Sequence, residues 1–155
     1  MEIRRFAPRG AITRVYYQLY GCFDDHIDMK AKGGTFADFD LDGDMDLYYG
    51  YTSGHYFENI NGTFSERTQS NEINNYGSRG IVVGDIDNNG YPDIVKWRYY
   101  FDNDHSHFLL LNQGNHYFQT TRYLDADEMI DLHSQGLMDV DLDGDLDLIA
   151  IEKEG

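Results

Sequence analysis

Three short strings in this chain crowd carboxylates together in a way that asks for a cation. DFDLDGDMD (38–46), DIDNNGYPD (85–93) and DVDLDGDLD (139–147) hold 13 of the 28 acidic residues and contain no Lys or Arg. Aligned, they share one spacing: Asp38, Asp40, Asp42, Gly43 and Asp46; Asp85, Asp87, Asn89, Gly90 and Asp93; Asp139, Asp141, Asp143, Gly144 and Asp147. Side chains at positions 1, 3 and 5 of a tight loop converge on one point, and glycine at position 6 permits the positive φ that turns the chain back. The backbone carbonyl at position 7 (Asp44, Tyr91, Asp145) and the Asp at position 9 complete a shell of hard oxygens. Calcium takes about six to eight such oxygens in a forgiving geometry. The expected cofactor is therefore Ca²⁺, about three ions per chain.

Other cations fit less well. An EF-hand shares the opening but requires a bidentate Glu at position 12 and flanking helices; Tyr49, Lys96 and Ala150 stand there, and the flanks LYY and IVK are strand-like. Zinc is disfavoured because no His or Cys enters the strings. Magnesium prefers fewer protein ligands and keeps its waters. The second string, with Asn89 in place of an acid and Pro92 before Asp93, should bind calcium more weakly than the other two.

The strings recur at Asp38, Asp85 and Asp139, and other landmarks keep the same period. A Gly-led apolar segment precedes each string: GGTFAD, RGIVVGD, QGLMDVD. A strand-like run follows each: LYYGY, IVKW, LIAI. Hairpin signals come next, around Asn61-Gly62 and around Gln113-Gly114-Asn115. Alternation in TFADF, YFENI and TFSER has period two, so each unit predicts four short strands, A to D. Such a unit at this period is the signature of a β-propeller blade. The predicted class is all-β, a propeller of four-stranded antiparallel blades. Read as one domain over 1–155 with approximate repeats 14–46, 47–93 and 94–147, the chain runs CD, ABCD, ABCD, AB. That is about three blades, and pairing of the free AB and CD ends between two copies predicts a homodimer with a closed six-bladed ring.

Composition narrows the partners. Apolar content of 41%, 13 tyrosines and two prolines describe a folded, strand-rich chain despite the formal charge of −16. Twelve Lys and Arg are too few for a phosphate-binding face, so nucleic acid is excluded as a partner. A single cysteine, Cys22, leaves no internal disulfide. No apolar run is long enough for a membrane span, and no signal peptide is visible in MEIRRFAPRGAITR.

ADFDLDGDMDLYYG followed by YFENINGTFSE resembles the FG-GAP/VCBS repeat, the integrin-α-like propeller blade; LLLNQGNHYF and MDVDLDGDLDL fit the same pattern. The resemblance implies a calcium-stabilised propeller of the kind found in extracellular or cell-surface proteins with adhesive or lectin-like roles. One departure is His116, which stands where the family has a turn glycine. In such a blade the ligand surface lies opposite the calcium loops. Here it would carry Trp97, Arg98, Tyr99, Tyr100, Asp104 and His105, which mix flat rings with polar groups as sugar sites do. The same alternation of Trp97, Tyr99 and Phe101 also suits the extension of a strand into the core.

The expected function is a calcium-stabilised binding module for a glycan or protein, in an extracellular, cell-surface or periplasmic setting, because loops of this kind bind calcium too weakly to fill in a cytosol. The alternatives are a polysaccharide-active propeller enzyme and purely structural blades of a larger surface protein. Acidic residues outside the strings show no spacing that argues for catalysis.

Overall fold

The computed structural model describes residues 2–6, 12–16, 33–50, 54–67, 78, 80–97, 107–122 and 132–152. These residues form twelve strands and, among them, no helix. None therefore offers a helix long and apolar enough to cross a membrane.

Strands β3 (Gly33–Ala37), β4 (Asp46–Gly50), β5 (Gly54–Ile60) and β6 (Thr63–Glu66) make one four-stranded antiparallel sheet in sequence order. β7 (Gly80–Gly84), β8 (Asp93–Trp97), β9 (His107–Asn112) and β10 (Phe118–Arg122) make a second sheet with the same order. β11 (Leu132–Met138) pairs with β12 (Asp147–Glu152), and β1 (Glu2–Phe6) pairs with β2 (Ile12–Tyr16), each as a two-stranded antiparallel sheet. The four-strand unit predicted from the repeat is present twice in full, with each acidic string joining a first strand to a second. The leading strand β7 lies against both β3 and β11, so the first strands of three successive units gather on one side.

The pleat explains the packing. Along β4, Leu47 and Tyr49 face one way with Phe57 and Phe64, while Tyr48 faces the other with its cross-strand partner Tyr56. The second sheet answers with Ile94 opposite Leu110, and Phe118 beside them. Phe39, from the first acidic loop, closes this inter-sheet core edge-on against Tyr56 and Phe118, with centroids 5.8 and 5.7 Å away. Six such fully buried side chains are the main apolar contact between the sheets, each stabilising by about 1.5–3 kcal/mol.

The two hairpins differ from each other. Ile60 pairs with Thr63 across a two-residue turn in which Asn61 (φ 51°) and Gly62 (φ 89°) are both left-handed, the backbone that Asn-Gly favours. The β9–β10 connection is longer: Asn112 pairs with Phe118, and Gly114, Asn115 and His116 all take positive φ. The sequence places this turn on residues 113–115; the structure carries it one residue further, because the inserted residue moves the reversal onto His116.

Candidate metal centres

The three acidic strings fold into one loop built three times. Asp38, Asp85 and Asp139 each cap their loop, accepting from the amides of residues four and five positions on at 2.9–3.1 Å. Position 3 (Asp40, Asp87, Asp141) accepts from the position-5 amide at 3.2 Å in every copy. Position 5 (Asp42, Asn89, Asp143) accepts from the position-7 amide at 2.8–2.9 Å. Position 9 (Asp46, Asp93, Asp147) reaches back to the position-2 amide at 2.7–3.0 Å. The chain reverses through left-handed residues at positions 4 and 6: Leu41 and Gly43, Asn88 and Gly90, Leu142 and Gly144. The sixth position requires glycine because its φ lies near 93–100°, beyond the region other residues reach.

This geometry brings carboxylates together. Oxygens of Asp38, Asp40 and Asp42 lie within 4.8 Å of one another, as do those of Asp85, Asp87 and Asp93, and of Asp139, Asp141 and Asp147. Positions 1 and 3 are common to all three groups. Asp46 stands outside its group; like Asp93 it accepts from two backbone amides, here those of Phe39 and Asn59, and it also accepts from the Tyr56 hydroxyl. Desolvation raises Asp46 to about 6, and raises Asp40 and Asp93 in the same direction. The side chains of position 7 face neighbouring elements. Asp44 holds the Asn61 amide at 2.8 Å, Asp145 accepts from the Asn88 side chain at 2.7 Å, and the Tyr91 ring covers Gly114. Any metal role at position 7 is thus one for the backbone carbonyl.

A hard divalent cation fits this donor set. Each cluster offers oxygens only, in a string without Lys or Arg, and carboxylates held this close while partly desolvated repel one another unless a cation or proton intervenes.

The sequence reading missed two matched asparagines. Asn59 Nδ2 donates to the Met45 carbonyl at 3.1 Å, and its Oδ1 accepts from Gly62. Asn112 Nδ2 donates to Pro92 O at 3.1 Å and to Phe39 O at 2.7 Å, and its Oδ1 accepts from Gly114. Each staples an acidic loop to its own hairpin, and Asn112 also reaches the neighbouring sheet. The signal was available: Asn59 is the second-to-last residue of β5 and Asn112 the last residue of β9, each at the end of a third strand. Of the speculative ligand-face residues, Trp97 lies in β8, 9% exposed, with its indole over Gly80. Arg98, Tyr99, Tyr100, Asp104 and His105 fall outside the described residues.

Residues 38–95 match the family of the FG-GAP-like repeat, a span from the first aspartate of the first loop to the middle of β8. No curated protein and no solved structure gives a significant match.

Proposed function

From an FG-GAP-like repeat set between repeated acidic loops, we propose that the chain forms blades of a calcium-stabilised β-propeller serving as a binding module. The observation that carries this reading is the threefold recurrence of one loop with the same capping bonds and the same left-handed positions. Asp38, Asp40 and Asp42, then Asp85, Asp87, Asn89 and Asp93, then Asp139, Asp141, Asp143 and Asp147 would hold the ions, with the position-7 carbonyls. Asp46 contributes chiefly as a clamp. A bound ion would neutralise the gathered carboxylates and fix the link between first and second strands. The neighbouring leading strands β3, β7 and β11 support a radial arrangement of units.

The ligand in this reading is a glycan or a protein, met on the side away from the acidic loops, and the setting is extracellular, cell-surface or periplasmic. In this reading two copies pair end to end, which would cover β12. Leu148, Ile149 and Ile151 of β12 are exposed, whereas their counterparts throughout β4 and β8 are buried. The test is thermal unfolding with light scattering, in millimolar calcium and in excess chelator. The expected result is a calcium-dependent rise in Tm and a two-chain mass. Indifference of Tm to chelator would overturn the calcium reading, and a calcium-loaded monomer would overturn the pairing.

A further inference from the structure

The third acidic loop lacks a support that the other two receive from their own sheets. Asp46 and Asp93, at position 9 of the first two loops, are fully buried. Each accepts a second amide from the third strand of its sheet, that of Asn59 at 2.8 Å and that of Asn112 at 2.7 Å. Asp147 is exposed, and among the described residues only the Val140 amide reaches it, at Oδ2. The cause is that β12 has β11 on one edge and no described strand on the other. Building on the calcium and pairing readings above, we propose that this loop is completed in trans. The strand β2 of a second copy docks on the free edge of β12 and supplies the missing amide, so the third calcium site reaches full strength only in the paired state.

Exposure along β12 shows what the docked strand must cover. Every residue of β4 and β8 is buried, whereas Asp147, Leu148, Ile149, Ala150 and Ile151 are all exposed, although DLIAI is as apolar as DLYYG and DIVKW. Ile149, the counterpart of Tyr48, is 41% exposed where Tyr48 is wholly buried. An apolar strand with an open edge is a template for strand addition.

The sequence around β2 identifies the occupant. Residues 54–64 read GHYFENINGTF and residues 13–23 read TRVYYQLYGCF. Val15 and Tyr16 stand where Tyr56 and Phe57 do, and Gly21 and Phe23 where Gly62 and Phe64 do. β2 pairs with β1 and, among the described residues, keeps its other edge free. The register follows from the complete sheets. Leu47 pairs with Phe57 and the amide two residues on, Asn59, holds Asp46; Ile94 pairs with Leu110 and Asn112 holds Asp93. Transferred to β12, this sets Leu148 against Tyr16 and Ile149 against Val15, and brings the backbone amide of residue 18 to Asp147. Gln18, which lies outside the described residues, carries a side-chain amide as Asn59 and Asn112 do. Charge favours the same partner. Residues 1–20 hold four arginines and one acid, and residues 132–155 hold seven acids and one lysine, in a chain of net charge −16. Two copies therefore repel except where the basic end of one meets the acidic end of the other.

The second amide orients the position-9 carboxylate, and losing an outer contact of that kind weakens a metal site about 10- to 100-fold. Linkage runs both ways: calcium in the third loop strengthens pairing by the factor by which pairing strengthens calcium.

The full chain is titrated with Ca²⁺ against a chromophoric chelator at rising protein concentration, with mass followed by light scattering. The expected result is two equivalents in the monomer, a third that appears with the two-chain mass, and pairing at least about tenfold weaker in excess chelator. Tyr16→Pro removes an amide from the edge that residue 18 shares. Ile149→Lys places a charge on a residue already exposed in the single chain. Both should stay monomeric with two equivalents, and circular dichroism checks that each folds; neither replaces a proposed ion ligand. Three equivalents in the monomer would overturn the proposal and leave the calcium reading standing. A two-chain mass retained by both variants would overturn it and leave pairing standing, through another surface. A parent chain that stays monomeric, or that takes up no calcium, would overturn it together with the reading beneath it.

Discussion

Lys96 of β8 donates through Nζ to the Tyr48 hydroxyl of β4 at 3.1 Å, joining the two complete sheets at a point where neither side chain has any solvent exposure. The Tyr48 and Phe108 rings flank the ammonium, with centroids 5.8 and 5.6 Å away. Desolvation lowers Lys96 from 10.5 to about 7 and pushes Tyr48 upward. The sign follows: the unfolded chain binds this proton up to 10.5, the folded chain only up to about 7, so folding releases it in between. The burial penalty is therefore fullest below about 7 and fades as pH rises toward 10.5. Lys96→Met keeps the length and removes the charge. It is expected to stabilise the protein at pH 6 by about 1–2 kcal/mol net of the lost hydrogen bond, with the gain shrinking above pH 7. Thermal melts of both proteins across that range check it.

Asp46 and Asp38 occupy the same loop, yet their removal should read differently. Asp46 is fully buried and accepts from two amides and a hydroxyl. Asp46→Asn turns one acceptor into a donor facing a donor, so about 2–3 kcal/mol should be lost even in chelator. Asp38 lies at the more open end of the loop, where water can replace the lost acceptor. Asp38→Asn should cost under about 1 kcal/mol in chelator and remove most of the stabilisation that calcium adds at that loop. Urea unfolding of each variant, with and without calcium, separates the two roles.

Asn89→Asp adds a carboxylate to the second loop and should tighten calcium binding there. It also has a drawback. Asn89 Nδ2 donates to the Asn112 carbonyl at 2.8 Å, and a carboxylate would oppose that carbonyl oxygen to oxygen. The variant should therefore lose about 1 kcal/mol in chelator and recover it in millimolar calcium. Calorimetric calcium titration beside a chelated melt reads both halves.

The strands and loops were legible because their signals are local. Period-two alternation in TFADF, the glycine at loop position 6 and the Asn61-Gly62 pair each determine a backbone within a few residues. The inter-sheet contacts were not. A lysine inside IVKW reads as a strand's exposed side, and only the packing of one sheet on the next brings its ammonium to Tyr48. His116 was noticed as an odd turn residue, but its partners lie far off in sequence, Tyr56 being 60 residues away. Asn112 bonds to Phe39 O across 73 residues for the same reason. What the chain does within a unit is written in spacing; what holds units together depends on which faces meet.

Trp97 gives the last prediction, because two roles for it part company in one experiment. Its indole occupies the space beside Gly80, where an added methyl group would fall inside the ring. Gly80→Ala must therefore displace the indole or spread β7 from β8, and a loss of about 2–3 kcal/mol is expected. Trp97→Ala should cost about 3–5 kcal/mol through the cavity it leaves. In the double variant the new methyl meets empty space, so the Gly80→Ala penalty should largely vanish and the two losses should fall short of their sum by 1 kcal/mol or more. Urea unfolding of the four proteins in calcium measures that coupling. Additive losses would mean the indole lies elsewhere, free to serve as a stacking platform, whereas strong coupling assigns it to the sheet and leaves ligand recognition to other residues.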